Sequence, residues 1–343
     1  MNEKNERIVL DVAYQPQVRS NRNTASLMLD VIIALLPLLV VGVWQFGYQP
    51  LLPIACSVAA CVFFEWGYRK LLHKPQSIGD LSAVVTGLLL GLSMPAGTPA
   101  WIPVVGAFFA IVVVKELYGG IGKNFLNPAL AARAFLLSSY TTAVGSTWLV
   151  PKSLQGVVDG VSMATPLSYL YGEAAMPKYF SLTSLFLGNT PGSFGEISAL
   201  MILAGFVYLV ARKVISWRIP VSFVGTVFLL TLLFGRNGDH WGFAWYNVLS
   251  GALLLTAVFM ATDYATSPVT VYGQLLYGFG CGAITVLIRY FGGFPEGTTY
   301  AILIMNLCSW AIDKGFHRRQ FGVSREDIAQ EKALRKAAKE AAK

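Results

Sequence analysis

The sequence predicts an all-α polytopic membrane protein with about ten transmembrane helices, and three observations carry that prediction. Of the 343 residues, 55% are hydrophobic and 13% are charged, whereas soluble proteins carry about 25% charged residues. Ten apolar segments follow one another along the chain, most of them close to the ~20 residues that a membrane span needs. The 26 Lys and Arg residues gather in short stretches between these segments, which is typical of membrane orientation and argues against a nucleic-acid partner.

The apolar segments define the predicted helices. Segments 79–94 and 125–137 are short for a full span and are interrupted by Gly or flanked by Pro, so we expect half-helices or tilted spans there. In order, the ten segments are 24–43, 51–68, 79–94, 99–117, 125–137, 194–211, 218–235, 246–262, 270–290 and 298–314.

The distribution of basic residues predicts the orientation of these spans. With the N-terminus in the cytoplasm and the segments alternating in direction, 21 Lys and Arg residues fall on the cytoplasmic side and 4 on the opposite side, while Arg133 lies inside the fifth segment. We therefore expect both termini in the cytoplasm. The predicted organisation is a cytoplasmic N-terminal segment (1–23), a first membrane repeat (24–137), a non-cytoplasmic loop (138–193), a second membrane repeat (194–314) and a cytoplasmic tail (315–343).

The two membrane halves share landmarks in the same order. "LSAVVTGLLLGLSMP" at 81–95 aligns with "LSGALLLTAVFMATD" at 249–263, and Asn127 and Asn306 follow at corresponding places. Because each half contains an odd number of segments, the second half enters the membrane from the opposite face. The sequence thus predicts two inverted five-helix repeats with broken half-helices, an architecture that many ion and solute pathways share.

Several ionisable residues fall at membrane depth, where charge is costly and often functional. Asp263 has no basic residue in the twenty positions that follow it, so we predict that it attracts a cation. Glu116 and Asp313 each stand beside a lysine at a helix end and are further candidates for an ion pathway, with an interfacial ion pair as the alternative. For Glu65, we expect an ion pair with Arg69 one helical turn away.

Asn127 precedes Pro128 at the start of the fifth segment. Asparagine before proline is typical of a helix cap followed by the first helical turn, so we expect Asn127 to cap a short helix. Its resemblance to the Asn-Pro-Ala box of water channels leaves a pore role as a secondary interpretation.

The loop 138–193 contains the segment Asp-Gly-Val-Ser-Met-Ala-Thr at 159–165. It resembles the signal Asp-x-x-Ser/Thr-Gly/Ala-Ala-Thr, in which a flavin transferase esterifies the last threonine to the phosphate of FMN. Asp159, Ser162, Ala164 and Thr165 match that signal, whereas Met163 replaces the usual small residue. A plain Ser/Thr/Pro turn is the alternative.

With this motif, "KELYGGIGKNFLNPALAARAF" (115–135) and "YAILIMNLCSWAID" (300–313), nearly the whole chain resembles the family of the D subunits of the Rnf electron-transport complex. The B subunits of the sodium-translocating NADH:quinone oxidoreductase are close relatives. The resemblance implies FMN bound covalently to Thr165, with Ser162, Ala164 and Asp159 around it, and a non-covalent riboflavin. It further implies electron transfer between ferredoxin and NAD+ coupled to Na+ or H+ transport across a bacterial inner membrane, with the FMN loop on the periplasmic side. The implied partners are other Rnf subunits, including a second covalent-flavin subunit and iron–sulfur subunits, a flavin transferase and the lipid bilayer.

Two other functions remain open on the sequence alone. An inverted repeat of five segments with broken helices also suits a solute channel or transporter of the urea or ammonium type, which needs no redox cofactor. A membrane scaffold that anchors redox partners is the third hypothesis. Covalently bound flavin separates the first function from the other two.

Overall fold

The structure is a computed structural model in which every regular element of the described residues is helical. Among these residues the only β-type contact is an isolated antiparallel bridge between Pro95 and Ser193. The described residues are 22–155, 163–172, 176–177, 179–236, 238–292 and 296–316.

Each of the ten predicted apolar segments contains helix. Two π-helical stretches, Phe109–Glu116 and Thr256–Met260, continue the short helices that precede them. The α-helices are α1 (Thr24–Phe46), α2 (Leu51–Leu71), α3 (Ser82–Leu92), α4 (Trp101–Phe108), α5 (Pro128–Ser139), α6 (Thr141–Gly145), α7 (Pro166–Tyr171), α8 (Leu182–Leu187), α9 (Ala199–Ala211), α10 (Arg218–Leu233), α11 (His240–Leu249), α12 (Leu253–Leu255), α13 (Val271–Phe291) and α14 (Thr298–Gly315).

Three helices in the described part of the chain are long and apolar enough to cross a membrane: α1, α2 and α13. A fourth span results if α11 and the helix Leu253–Met260, which meet at a bend of 59°, are taken together. The helices α3, α9 and α10 are apolar but shorter. The fold is therefore that of an all-α membrane protein, and the count of ten spans in two inverted repeats stays a prediction.

Local sequence signals explain why the central helices are short. Asn127 caps α5 as expected, because its Oδ1 accepts the backbone N–H groups of Ala129 and Leu130 at 3.0 and 3.3 Å. Pro128 occupies the first turn of α5, where its missing N–H leaves no intrahelical bond unmade. Gly251 has a φ of +72° and interrupts segment 246–262 in the left-handed region that glycine adopts without strain.

Short helices pack inside the bundle because small residues let their backbones approach. Ten of the eleven residues of α3 are buried. A Cβ on Gly87 would lie 2.6 Å from Val58 Cα on α2, so only glycine permits this crossing. Such contacts between small residues are the usual way in which membrane helices associate. They place α3 and α5 at the centre of the molecule, where both helices contribute residues to two cavities or their rims.

Candidate functional site

Thr165 stands immediately before helix α7 in extended backbone, with φ −73° and ψ 154°. Its carbonyl accepts the Ser168 backbone N–H at 3.0 Å and the Ser168 hydroxyl at 2.7 Å. The Thr165 hydroxyl caps no backbone N–H of α7 and lies 3.1 Å from Ser168 Oγ. The Thr165 side chain is half-buried and Ala164 is exposed, so the hydroxyl is accessible.

The Met163 side chain packs into a small apolar cluster, although its residue departs from the flavinylation signal. The cluster contains Val150, Leu154 and Phe180, and the Met163 backbone N–H donates to the Trp148 carbonyl at 3.1 Å. This residue therefore anchors the loop just before Thr165. Of the other motif residues, Asp159 and Ser162 lie outside the described residues.

Thr165 lines a cavity of about 450 Å³. Its wall combines the motif with the bundle core, because residues from α5, the connection 188–198 and the connection between α11 and α12 also face it. Among the residues that line it are Arg133, Met163, Ala164, Thr165, Glu196, Ser250 and Glu296.

Arg133 holds two glutamates in the wall of this cavity. Arg133 Nη1 lies 2.8 Å from Glu196 Oε1, and Arg133 Nη2 lies 2.7 Å from Glu296 Oε2. The Arg133 and Glu196 side chains are 5% and 4% exposed, and that of Glu296 is 20% exposed. The rule that ionisable groups at membrane depth are functional candidates would have found Arg133 and Glu196, which lie in apolar segments. No sequence signal marks Glu296, which follows a helix end.

A second polar group holds α7 against the bundle. Tyr171 Oη donates to Asn247 Oδ1 at 2.6 Å, and Arg289 Nη1 donates to the Asn247 carbonyl at 2.7 Å. Arg236 lies over the Tyr171 ring, 5.7 Å from its centroid. Burial raises the pKa of Tyr171 to about 12, so its phenol stays protonated and donates this bond at neutral pH.

The three candidates for an ion pathway have different surroundings. Asp263 accepts the Thr266 hydroxyl at 3.2 Å and lines a second cavity of about 280 Å³ together with Asn124. Asp313 accepts the Val269 backbone N–H at 3.1 Å. Glu116 forms a salt bridge with a basic residue of α2.

The predicted pair between Glu65 and Arg69 is wrong. Arg69 donates instead to Glu116, with Arg69 Nη2 3.0 Å from Glu116 Oε1, while Glu65 Oε2 lies 2.6 Å from Lys115 Nζ. The physical reason is burial: Glu65 and Glu116 are 0% and 1% exposed, and two buried acids require two separate basic partners. The pairing between adjacent helices satisfies both acids, and a pair within α2 would satisfy only one.

Fold and site together define a multi-pass helical membrane protein with a buried, charged cavity beside an accessible threonine. Comparison with known proteins then gives the family. Residues 11–322 match the NQR2, RnfD, RnfE family, and the chain belongs to it.

Curated relatives cover nearly the whole chain, and each of them is the D subunit of an oxidoreductase complex. The chain is 45% identical, over 95% of its length and 98% of the relative's, to that of the Na(+)-translocating ferredoxin:NAD(+) oxidoreductase complex of Acetobacterium woodii. It is 38% identical, over 92% and 97%, to that of the proton-translocating ferredoxin:NAD(+) oxidoreductase complex of Clostridium ljungdahlii. It is 36% identical, over 91% and 97%, to that of the ion-translocating oxidoreductase complex of Shewanella amazonensis.

Proposed function

We propose that this protein is the D subunit of an Rnf-type complex that couples ferredoxin:NAD+ oxidoreduction to ion transport. Its extensive similarity to the D subunits of such complexes supports the assignment. We further propose that it carries electrons on FMN linked through a phosphoester to Thr165. The observation that carries this second step is an accessible Thr165 hydroxyl at the edge of a cavity of about 450 Å³.

The residues around Thr165 are compatible with a flavin. Ligand cavities occupy about 300–1,000 Å³ and combine apolar walls with a few polar groups, and this cavity agrees with both criteria. Ser250 Oγ is buried without a hydrogen-bond partner among the described residues, so one polar atom of the wall is free for a ligand. The carbonyls and ring nitrogens of a flavin provide acceptors and a donor for such an atom.

FMN would supply one- and two-electron chemistry at this site, and the protein would supply position and electrostatics. A bond to Thr165 holds the cofactor by its phosphate, so that it cannot dissociate. Met163 fixes the chain before Thr165 through its apolar cluster, and Tyr171 fixes α7 after it. We propose that Ala164, Ser162 and Asp159 take part in attachment by the transferase.

We propose a second, non-covalent flavin, riboflavin, in the same chain. The cavity beside Asp263 is the candidate position, since it has a mainly apolar wall and a volume of about 280 Å³. Helix α5 contributes Ala129 to this cavity and Arg133, one helical turn away, to the cavity of Thr165. A turn of helix rises about 5.4 Å, so the two proposed cofactors would lie at opposite ends of the same central helices.

We propose ten spans in two inverted repeats, with both termini in the cytoplasm and Thr165 on the periplasmic side of the inner membrane. The proposal rests on the charge asymmetry and on the shared landmarks of the two halves. Further proposed partners are the other Rnf subunits, including a covalent-flavin subunit and iron–sulfur subunits, and a flavin transferase. For ion coupling, Asp263, Glu116 and Asp313 are the proposed candidates.

Flavin fluorescence of the denatured protein tests the proposed cofactor. The full chain is co-expressed with a flavin transferase, separated on a denaturing gel and viewed under ultraviolet light. We expect a fluorescent band for the wild type, none for Thr165→Val, and an unchanged band for Thr142→Val, a control at an exposed threonine of the same loop. Absence of the wild-type band would refute covalent FMN and favour the transporter or scaffold hypothesis.

A further inference from the structure

We propose that Glu196 and Glu296, held by the single guanidinium of Arg133, form a proton-binding site in the wall of the cavity beside Thr165. This site takes up a proton when a flavin in the cavity gains an electron and releases it when the flavin is reoxidised. The inference rests on the proposed attachment of FMN to Thr165. The geometry of the three charged residues is independent of it.

The site is assembled from three separate segments. Arg133 lies in the middle of α5, Glu196 in the connection before α9, and Glu296 in the connection before α14. Each carboxylate occupies one terminal nitrogen of the guanidinium, at 2.8 and 2.7 Å, and Ser193 Oγ lies 3.5 Å from Arg133 Nη2. All three charged side chains line the cavity of Thr165, so a molecule in that cavity is exposed to their field.

The charges of this cluster do not balance. Two carboxylates face one guanidinium, which leaves one negative charge in excess when both glutamates are ionised. The next buried cation, Arg289 on α13, has no carboxylate within 4 Å among the described residues and donates to Asn247 instead. Tyr300 on α14 is the other titratable group close to Arg133, and it is neutral at physiological pH. Because an uncompensated buried charge is expensive, one proton stabilises the cluster.

The hydrogen bonds identify Glu196 as the carboxylate that carries this proton. Glu296 Oε1 accepts the Ala252 backbone N–H at 2.6 Å, and Glu296 is also the more exposed acid. Both features stabilise its ionised form. Glu196 Oε1 lies close to Arg133 but is not aligned for a hydrogen bond with any described residue, so its charge is less well compensated. The partly exposed Glu296 gives the site a route to water.

An independent observation indicates that a polar ligand completes this wall. Ser250 Oγ lines the same cavity, its residue is 1% exposed, and it has no hydrogen-bond partner among the described residues. Buried hydroxyl groups are nearly always paired. The cavity wall thus has an unused polar atom beside an unbalanced charge cluster, as expected where a ligand that changes its charge binds.

The proposed step balances in charge and atoms. An electron from a one-electron donor, another redox subunit in the complex or dithionite in the experiment, adds one negative charge to the flavin. A proton from water forms an O–H bond with the Glu196 carboxylate, which loses one negative charge. The net charge of the buried region is therefore unchanged, and oxidation reverses both events. Without such compensation, each electron would enter against the excess charge of the two glutamates.

Redox-difference infrared spectroscopy of the full chain, co-expressed with the transferase, tests the inference. In the reduced-minus-oxidised spectrum we expect a positive C=O band of a protonated carboxyl group. This band should shift in D2O and in protein labelled with 13C-carboxyl glutamate, a test that needs no variant. Glu196→Gln should abolish the band. Glu65→Gln should leave it unchanged, because Glu65 is equally buried but pairs with Lys115.

The flavin band on the denaturing gel separates this inference from the proposed function. A fluorescent wild-type protein with no carboxyl band, or with a band of full amplitude in a fluorescent Glu196→Gln protein, would overturn the proton site and leave the covalent flavin standing. If the wild type has no fluorescence, the proposed cofactor fails and the proton site fails with it. In Thr165→Val protein, which lacks the cofactor, persistence of the carboxyl band would show that it arises elsewhere and would overturn the inference.

Discussion

Asn306 Oδ1 accepts a hydrogen bond from the Asn127 backbone N–H at 3.2 Å, and this contact joins the start of α5 to the middle of α14. In the same amide orientation Asn306 Nδ2 donates to Tyr277 Oη at 2.6 Å. Both asparagines are buried. They occupy corresponding places in the two halves of the sequence, and corresponding residues meet where a two-fold axis relates two repeats. The contact therefore supports the proposed inverted repeat.

Asn127→Ala should destabilise the protein by about 1–2 kcal/mol through loss of the helix cap. The variant also removes the bond from Asn127 Nδ2 to the Met260 carbonyl, 3.0 Å long, which joins α5 to the end of the π-helix. Thermal unfolding of the detergent-solubilised protein, followed by circular dichroism, measures the change. Asn23→Ala is the matched control, because Asn23 caps α1 at an exposed end and should cost less. Equal losses would contradict the importance that we assign to the central cap.

Met163→Ala should retain flavin attachment and loosen the loop before Thr165. The Met163 side chain packs with Phe180 in a small apolar cluster, and truncation of a buried methionine costs about 2–5 kcal/mol, less for this half-buried one. Limited proteolysis should therefore cut the loop faster in the variant, while the fluorescent band on the denaturing gel remains. Loss of the band with unchanged proteolysis would instead assign Met163 to recognition by the transferase.

Tyr171 should titrate near pH 12 in the folded protein. Burial raises its pKa to about 12, compared with about 10 in an unfolded chain. The fold thus favours the neutral phenol: this contribution to stability is complete below about pH 10 and is lost as the pH rises to 12. The difference in tyrosinate absorbance between wild type and Tyr171→Phe isolates the group. A midpoint near 10 would contradict the buried bond to Asn247.

Lys115→Met should destabilise the protein by about 3–5 kcal/mol, because it leaves Glu65 as an unpaired buried charge. The two side chains are 3% and 0% exposed and lie 2.6 Å apart. The double variant Glu65→Leu/Lys115→Met should recover most of this loss, since it removes both charges. Arg212→Met is the control: it breaks the pair with Asp30, in which the arginine is 52% exposed, and should cost less than about 1 kcal/mol. Additive losses in the double variant would show that Lys115 and Glu65 are not coupled.

The positions of helices could be predicted from the sequence because apolar segments and caps are local signals. Asn127 followed by Pro128 was enough to place the start of α5. The bend after α11 had a weaker signal, since Gly251 alone marks it within a continuous apolar segment. Local spacing also gave the wrong partner for Glu65, because the ion pairs of this region join α2 to the π-helix that follows α4. Neighbours in space outweigh neighbours in sequence where both charges are buried.

The candidate site could be predicted only in part. Thr165 was found through its motif, which is contiguous in sequence. The charged residues around its cavity come from positions as far apart as Arg133 and Glu296, 163 residues along the chain, and no periodicity connects them. A buried arginine in an apolar segment indicates that acidic partners exist, but only the fold identifies Glu196 and Glu296 as those partners.

Asp263→Asn should impair ion transport more than it impairs stability. Asp263 lines the cavity of about 280 Å³ and has no salt bridge to a described residue; its carboxylate accepts the Thr266 hydroxyl at 3.2 Å, a bond that an asparagine oxygen also accepts. An acid without a basic partner in a cavity attracts a cation, whereas the amide carries no charge. Transport of 22Na+ or of protons into vesicles containing the whole complex, driven by reduced ferredoxin and NAD+, measures the effect. Asp239→Asn, which changes an exposed cap of α11, is the control and should leave transport unchanged. If Asp263→Asn transports at the wild-type rate, and Glu116→Gln and Asp313→Asn do as well, the ion pathway lies elsewhere in the complex.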